Sequence, residues 1–64
     1  MKHPLDGHVR RFCEEKGISL AEFGRRMRVT RPTVYNIMEG IYSRGMLERI
    51  AYLMKVEPWE LLKK

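Results

Sequence analysis

The chain has one cysteine, Cys13, so no internal disulfide can staple its 64 residues together, and a lone thiol suits a reducing cytosol. No apolar run is long enough to cross a membrane, and Lys2, Pro4 and Asp6 do not resemble a secretion signal. A cytoplasmic location is the expectation. There is no glycine-rich phosphate loop and no catalytic pairing of side chains, so an enzyme is not expected. His3 and His8 are not at metal-ligand spacing on a helix, and no cysteine pair accompanies them. Neither a metal nor a cofactor is expected. No segment reads as a strand. The length leaves room for one domain, residues 1–64, near the lower limit for folding without staples, and none for a separate sensor or catalytic domain.

What remains is an all-helical pattern with a basic centre. Hydrophobic residues make up 44% of the chain and charged residues 33%, enough for one core under a charged surface. The net charge is +5 and unevenly spread. Arg25, Arg26, Arg28, Arg31 and Arg44 face a single acid, Glu39, between positions 25 and 44. The acids gather elsewhere, at Glu14, Glu15, Glu48, Glu57 and Glu60. A basic face opposite an acidic remainder is the footprint expected for nucleic acid. Glu14 and Glu15 read as a solvated face.

Five helices are predicted. Leu5, Val9, Phe12 and Cys13 form one stripe of the first, which Gly17 ends. Gly7 costs that helix about 1 kcal/mol and weakens its N-terminal turn. Ser19-x-x-Glu22 is a capping box that opens the second helix, with Ile18 and Phe23 as a hydrophobic staple across it. The same five-residue spacing recurs at Val29/Val34 around Thr30, Tyr42/Leu47 around Ser43, and Val56/Leu61 around Glu57. Pro58 suits a first helical position. Gly40 ends the third helix, and Leu47, Ile50, Ala51 and Met54 make the inner stripe of the fourth. At the third helix two starts compete. Pro32 disfavours the helical conformation at Arg31, whereas the Val29/Val34 staple favours a Thr30 cap, and the Thr30 start is preferred. The predicted core is Val9, Phe12, Phe23, Met27, Val34, Ile37, Leu47, Ile50 and Leu61. Met27 and Met54 read as core filler, and Cys13, on the apolar stripe with no base beside it, reads as packing.

Residues 19–40 hold the most informative pattern: two short amphipathic helices, a tight turn, and polar side chains at the start of the second. Here the chain resembles the Cro/repressor-type, lambda-repressor-like helix-turn-helix family. Ile18, Ser19, Glu22, Phe23, Met27, Val29, Thr30, Val34, Ile37 and Gly40 stand where that family places its apolar, capping and turn residues. Leu47, Ile50, Ala51, Met54, Val56, Leu61 and Leu62 match its fourth and fifth helices, so the likeness runs over residues 5–62. It implies a compact five-helix domain that places its third helix in the major groove of double-stranded DNA. By position, Arg31, Pro32 and Asn36 match the family's base-contacting sites. Arg31 can grip guanine, Asn36 adenine, and the Thr33 methyl or the Pro32 ring suits a thymine methyl. Phosphate contacts are expected at the Ser19 and Leu20 N–H groups, at the hydroxyls of Thr30, Tyr35 and Tyr42, and at Arg44. Arg25, Arg26 and Arg28 either add to the field or form a solvated helix end.

The chain departs from the family at several positions. Leu20 replaces a frequent Gln and Glu39 an Asn. Arg28 stands where Gly usually ends the second helix, which implies a left-handed residue or a different turn. Cys13 and Met38 occupy positions that hold a buried Arg–Glu pair in some relatives, an exchange that costs little stability. The loop after Gly40 is about two residues short of the family's pattern.

Trp59 sits at an outward position, and either packs on Tyr52 or buries against a second subunit. The second reading is preferred, with Tyr52, Trp59 and Leu62 as the dimer interface. The expectation is a homodimeric DNA-binding transcriptional repressor on a pseudo-palindromic operator. The alternative is a protein-binding regulator, such as an antitoxin, on the same fold.

Overall fold

The computed structural model describes residues 3–63, and among them every regular element is a helix. Four α-helices run in order: α1, Pro4–Lys16; α2, Leu20–Met27; α3, Arg31–Met38; α4, Arg44–Met54. A short 3-10 helix, Pro58–Leu62, follows. The fifth predicted helix is therefore not α-helical. Its N–H groups bond three residues back, Glu60 to the Glu57 carbonyl at 2.9 Å and Lys63 to Glu60 at 3.3 Å. A five-residue segment led by Pro58, which has no N–H to give, closes more readily in this tighter ladder.

The two predicted serine caps are in place. Ser19 and Ser43 accept the Glu22 and Met46 N–H groups, each at 3.1 Å. The competition at α3 resolves toward Thr30, which is extended (φ −79°, ψ 164°) with Arg31 as the first helical residue. Thr30 makes no side-chain cap, however; its hydroxyl lies 3.0 Å from that of Thr33. Only half of the α2 capping box forms, because the Glu22 carboxylate turns to Arg25 and Arg26. Gly7 does not interrupt α1, which begins at Pro4 behind an unexpected cap: His3 Nδ1 accepts the Leu5 N–H at 3.1 Å.

One closure recurs at all four helix ends. The N–H of an apolar residue reaches back five positions: Ile18 to Cys13, Val29 to Gly24, Ile41 to Asn36, and Val56 to Ala51, at 2.8–3.0 Å. The residue before each is left-handed: Gly17 (φ 66°), Arg28 (61°), Gly40 (93°) and Lys55 (59°). This geometry satisfies the carbonyls that every helix end leaves orphaned. In three of the four connections the N-cap of the next element follows at once, so the turns at 17–19, 28–30 and 55–57 share one plan. Arg28 adopts the left-handed alternative that its departure from Gly implied, with a Cβ cost that glycine would avoid.

The core draws Leu5, Val9 and Cys13 from α1, Phe23 and Met27 from α2, Val34, Ile37 and Met38 from α3, Ile50 and Ala51 from α4, and Leu61. Phe12 and Leu47, predicted as core, are half-buried and pack on its edge. Phe12 does so edge-on to Phe23, ring centroids 6.1 Å apart. On α1 the fully buried line is i, i+4, i+8, which takes in Leu5 and Cys13 and leaves Phe12 on its flank. Cys13 and Met38 are both members of this one apolar cluster. Burial pushes the Cys13 thiol above its ordinary pKa, with Arg26 opposing weakly, so the sulfur stays protonated at neutral pH.

Replacing Arg28 by glycine should raise stability by about 0.5–1 kcal/mol, because the left-handed conformation then carries no Cβ penalty. The urea midpoint of Arg28→Gly against the parent checks this. A lower midpoint at unchanged slope contradicts it.

Candidate nucleic-acid interface

The α3 helix owes its position to glycine. A Cβ at Gly24, in the middle of α2, would lie 3.0 Å from Val34 Cγ2 and 3.2 Å from the Val29 carbonyl oxygen. Even a methyl group here would press on Val34 and the Val29 carbonyl by a few tenths of an ångström, and a larger side chain by more. The opposite end of α3 is seated in a related way. Gly40 is left-handed, and a Cβ there would lie 2.6 Å from His3 Cδ2. The His3 ring also meets Tyr42 edge-on, centroids 5.7 Å apart. The C-terminus of α2 is tied to α4 by the Arg49 guanidinium, which donates to the Met27 carbonyl.

Held in this way, α3 turns Val34, Ile37 and Met38 inward, and Thr33 is half-buried. Arg31, Pro32, Tyr35, Asn36 and Glu39 are exposed. At about 100° per residue these five span one continuous arc of roughly 140°. Arg31 and Asn36 therefore point away from the interior. Tyr35, 43% exposed, lies between Arg31 and Glu39 on the same arc. Thr33 is placed less openly, since its hydroxyl is engaged with Thr30. Glu39, at the end of α3, puts a negative charge on the same face.

The expected phosphate-binding groups are more scattered. Ser19 is exposed; its hydroxyl oxygen accepts the Glu22 N–H and keeps its own proton to donate. The Leu20 side chain packs against the core, while its N–H, first in α2, faces no helical carbonyl. Thr30 and Arg44 are exposed. Tyr42 is half-buried, with its hydroxyl 3.5 Å from His3 Nε2. Of the arginine trio, Arg25 and Arg26 bind Glu22 at 2.8 and 3.4 Å. Their hydrogen bonds hold the Glu22 carboxyl below its ordinary pKa, so it stays ionised and neutralises part of the charge at this end of α2. Arg28, Arg31 and Arg44 form no ion pair among the described residues.

The expected dimer residues lie on two elements. Tyr52, on α4, is 88% exposed; Trp59 and Leu62, on the 3-10 helix, are 55% and 47% exposed. Trp59 does not stack on Tyr52. Its ring instead carries the Lys63 ammonium, 4.5 Å from the centroid. Ile41, in the loop after α3, is 60% exposed and was not singled out by the sequence reading. Among the described residues no helix is long and apolar enough to cross a membrane. No family model, curated protein or solved structure matches this chain.

The residues that position this face, and that sequence reasoning passed over, are Gly24, Gly40's partner His3, and Arg49. A glycine inside a helix, at a cost of about 1 kcal/mol, was the available signal for Gly24. His3 and Arg49 left none. Gly24→Val should destabilise the protein by about 2 kcal/mol or more, since a β-branched side chain meets both a stiff valine and a backbone oxygen. Thermal unfolding followed by circular dichroism reads this directly. An unchanged melting temperature would remove Gly24 as the spacer between α2 and α3.

Proposed function

We propose that the chain is a sequence-specific double-stranded DNA-binding transcriptional regulator, acting in the cytoplasm as a repressor and as a homodimer. In this reading α2, the turn and α3 form a helix-turn-helix, and the outward arc of α3 enters the major groove. The observation that carries it is the joint exposure of Arg31 and Asn36 on one continuous face of a helix whose other face is fixed in the core. Arg31 reads guanine O6 and N7, Asn36 reads adenine N6 and N7, and Pro32 meets a thymine methyl. The Leu20 N–H at the start of α2, with Ser19, Thr30, Tyr35, Tyr42 and Arg44, holds the phosphates on either side.

Two copies place their reading helices about 34 Å apart on one face of the duplex, which calls for a two-fold symmetric operator. Occupancy of that operator blocks transcription. Tyr52, Trp59 and Leu62 supply apolar surface for the association, and an exposed tryptophan is costly unless something covers it.

That same surface favours a second reading, in which the main partner is another protein and the chain acts as an antitoxin-like regulator. Co-purification with a second polypeptide at fixed stoichiometry would favour it over a DNA-only role.

Arg31→Ala should lose about 1–3 kcal/mol of binding to the preferred site and relax preference at one base pair. Arg44→Ala should instead weaken all sequences alike and reduce the salt slope by about one. Gel-shift titrations at several salt concentrations separate the two effects. Unchanged affinity and specificity in Arg31→Ala would contradict the base-reading assignment.

A further inference from the structure

Between the C-terminal end of α2 and the outer side of α4 runs an open groove of about 870 Å³, which none of the residues assigned to DNA lines. Met27 and Ala51, both almost wholly buried, lie beneath it, and its apolar surface comes from Leu53, Val56 and Tyr52, the last almost wholly exposed. Arg26, Arg49 and Lys55 line it with one acid, Glu48. Arg49 gives one N–H to the Met27 carbonyl and keeps others free, since guanidinium has five. Lys55 makes no ion pair among the described residues. We infer that this groove binds an acidic peptide segment of another protein, carrying one or two bulky apolar side chains.

Charge selects the occupant's sign. Arg49 and Lys55 against Glu48, with Arg26 already shared with Glu22, leave a net positive rim that favours a partner carrying Asp and Glu over a basic one, since like charges brought together are costly. The apolar floor selects its class. A nucleic-acid backbone would find the cations but gain nothing from leucine and valine surface, whereas a leucine, phenylalanine or tryptophan side chain buries against Leu53, Val56 and Tyr52. The fold leaves the groove open at Gly45, in the first turn of α4, which lines it without a side chain. A Cβ there would meet only Ser43 Oγ at 4.0 Å. Because α3 takes no part in this surface, the segment can dock while the DNA-reading arc remains open. The inference goes beyond the DNA-binding reading and does not depend on it; Tyr52 is shared with the proposed dimer surface, so the segment and a second copy compete at that side chain.

Selection of random linear peptides displayed on phage against the whole protein tests this, followed by anisotropy titration of the enriched peptides. The expected winners combine Asp and Glu with Leu, Phe or Trp. Gly45→Leu, which fills the groove and improves helix propensity, should weaken them by about tenfold or more, and Tyr52→Ala by several-fold. Glu48→Lys should tighten them. Gly45→Leu should keep or raise the parent's melting temperature and leave its affinity for DNA unchanged. Failure to enrich acidic sequences overturns the inference, as does an unchanged affinity in Gly45→Leu. Conversion of a dimer to monomers by Gly45→Leu also overturns it, because the occupant would then be a second copy of the chain.

Discussion

The approach of α2 to α3 at Gly24 is the constraint on which the rest of the structure depends. With Val34 Cγ2 and the Val29 carbonyl this near, the two helices and their turn have little freedom to shift against each other. Which side chains of α3 face outward follows from that seating, because Val34, Ile37 and Met38 must enter the core that Phe23 and Met27 share. Arg31, Pro32, Tyr35 and Asn36 are then exposed as a consequence of packing. If this face binds as proposed, it does so pre-organised: its side chains are carried on a helix packed into the core, so little ordering remains to be done.

The helix ends supply the second constraint. Each helix closes on a left-handed residue followed by an apolar one, and three of the four then pass directly into the next cap. In a chain this small such turns matter more than usual, because the core is limited and each unsatisfied backbone group costs a kilocalorie or more. Two of the left-handed positions carry Arg28 and Lys55 in place of glycine. At Arg28 the strain lies at the turn between the two proposed DNA-binding helices, and it leaves a cation there that glycine could not provide.

Much of this architecture was legible because caps, staples and periodicity all mark helix starts locally. Ser19, Thr30, Ser43 and Glu57 could be read as caps from residues three to five positions away. What was hidden is what depends on tertiary geometry. The i, i+4, i+8 line on α1 that buries Leu5 and Cys13, and places Phe12 on its edge, is set by how α3, the 3-10 helix and α2 pack against that helix. The His3 cap, the Arg49 tie to Met27 and the diversion of Glu22 to two arginines are choices among partners that sequence spacing alone does not rank. The 3-10 geometry of Pro58–Leu62 likewise turns on segment length and not on its apolar pattern. On α3 the outward face was legible because helical spacing divides apolar from polar positions there. The half-burial of Tyr42 was not, since it packs beside His3, which only the fold brings near.

The charge pattern sharpens in the same way. Five arginines between positions 25 and 44 become three unpaired ones, Arg28, Arg31 and Arg44, once Glu22 has taken its partners. These flank or begin α3 and α4, around the face that holds Asn36. The most direct measurement of the central claim is in-vitro selection of binding sites from random double-stranded DNA, run in parallel on the parent and on Asn36→Ala. The account predicts a consensus with two-fold symmetry in which one A·T position per half-site loses its preference in the variant. Failure of the parent to enrich any sequence, or an identical consensus from both proteins, would contradict it.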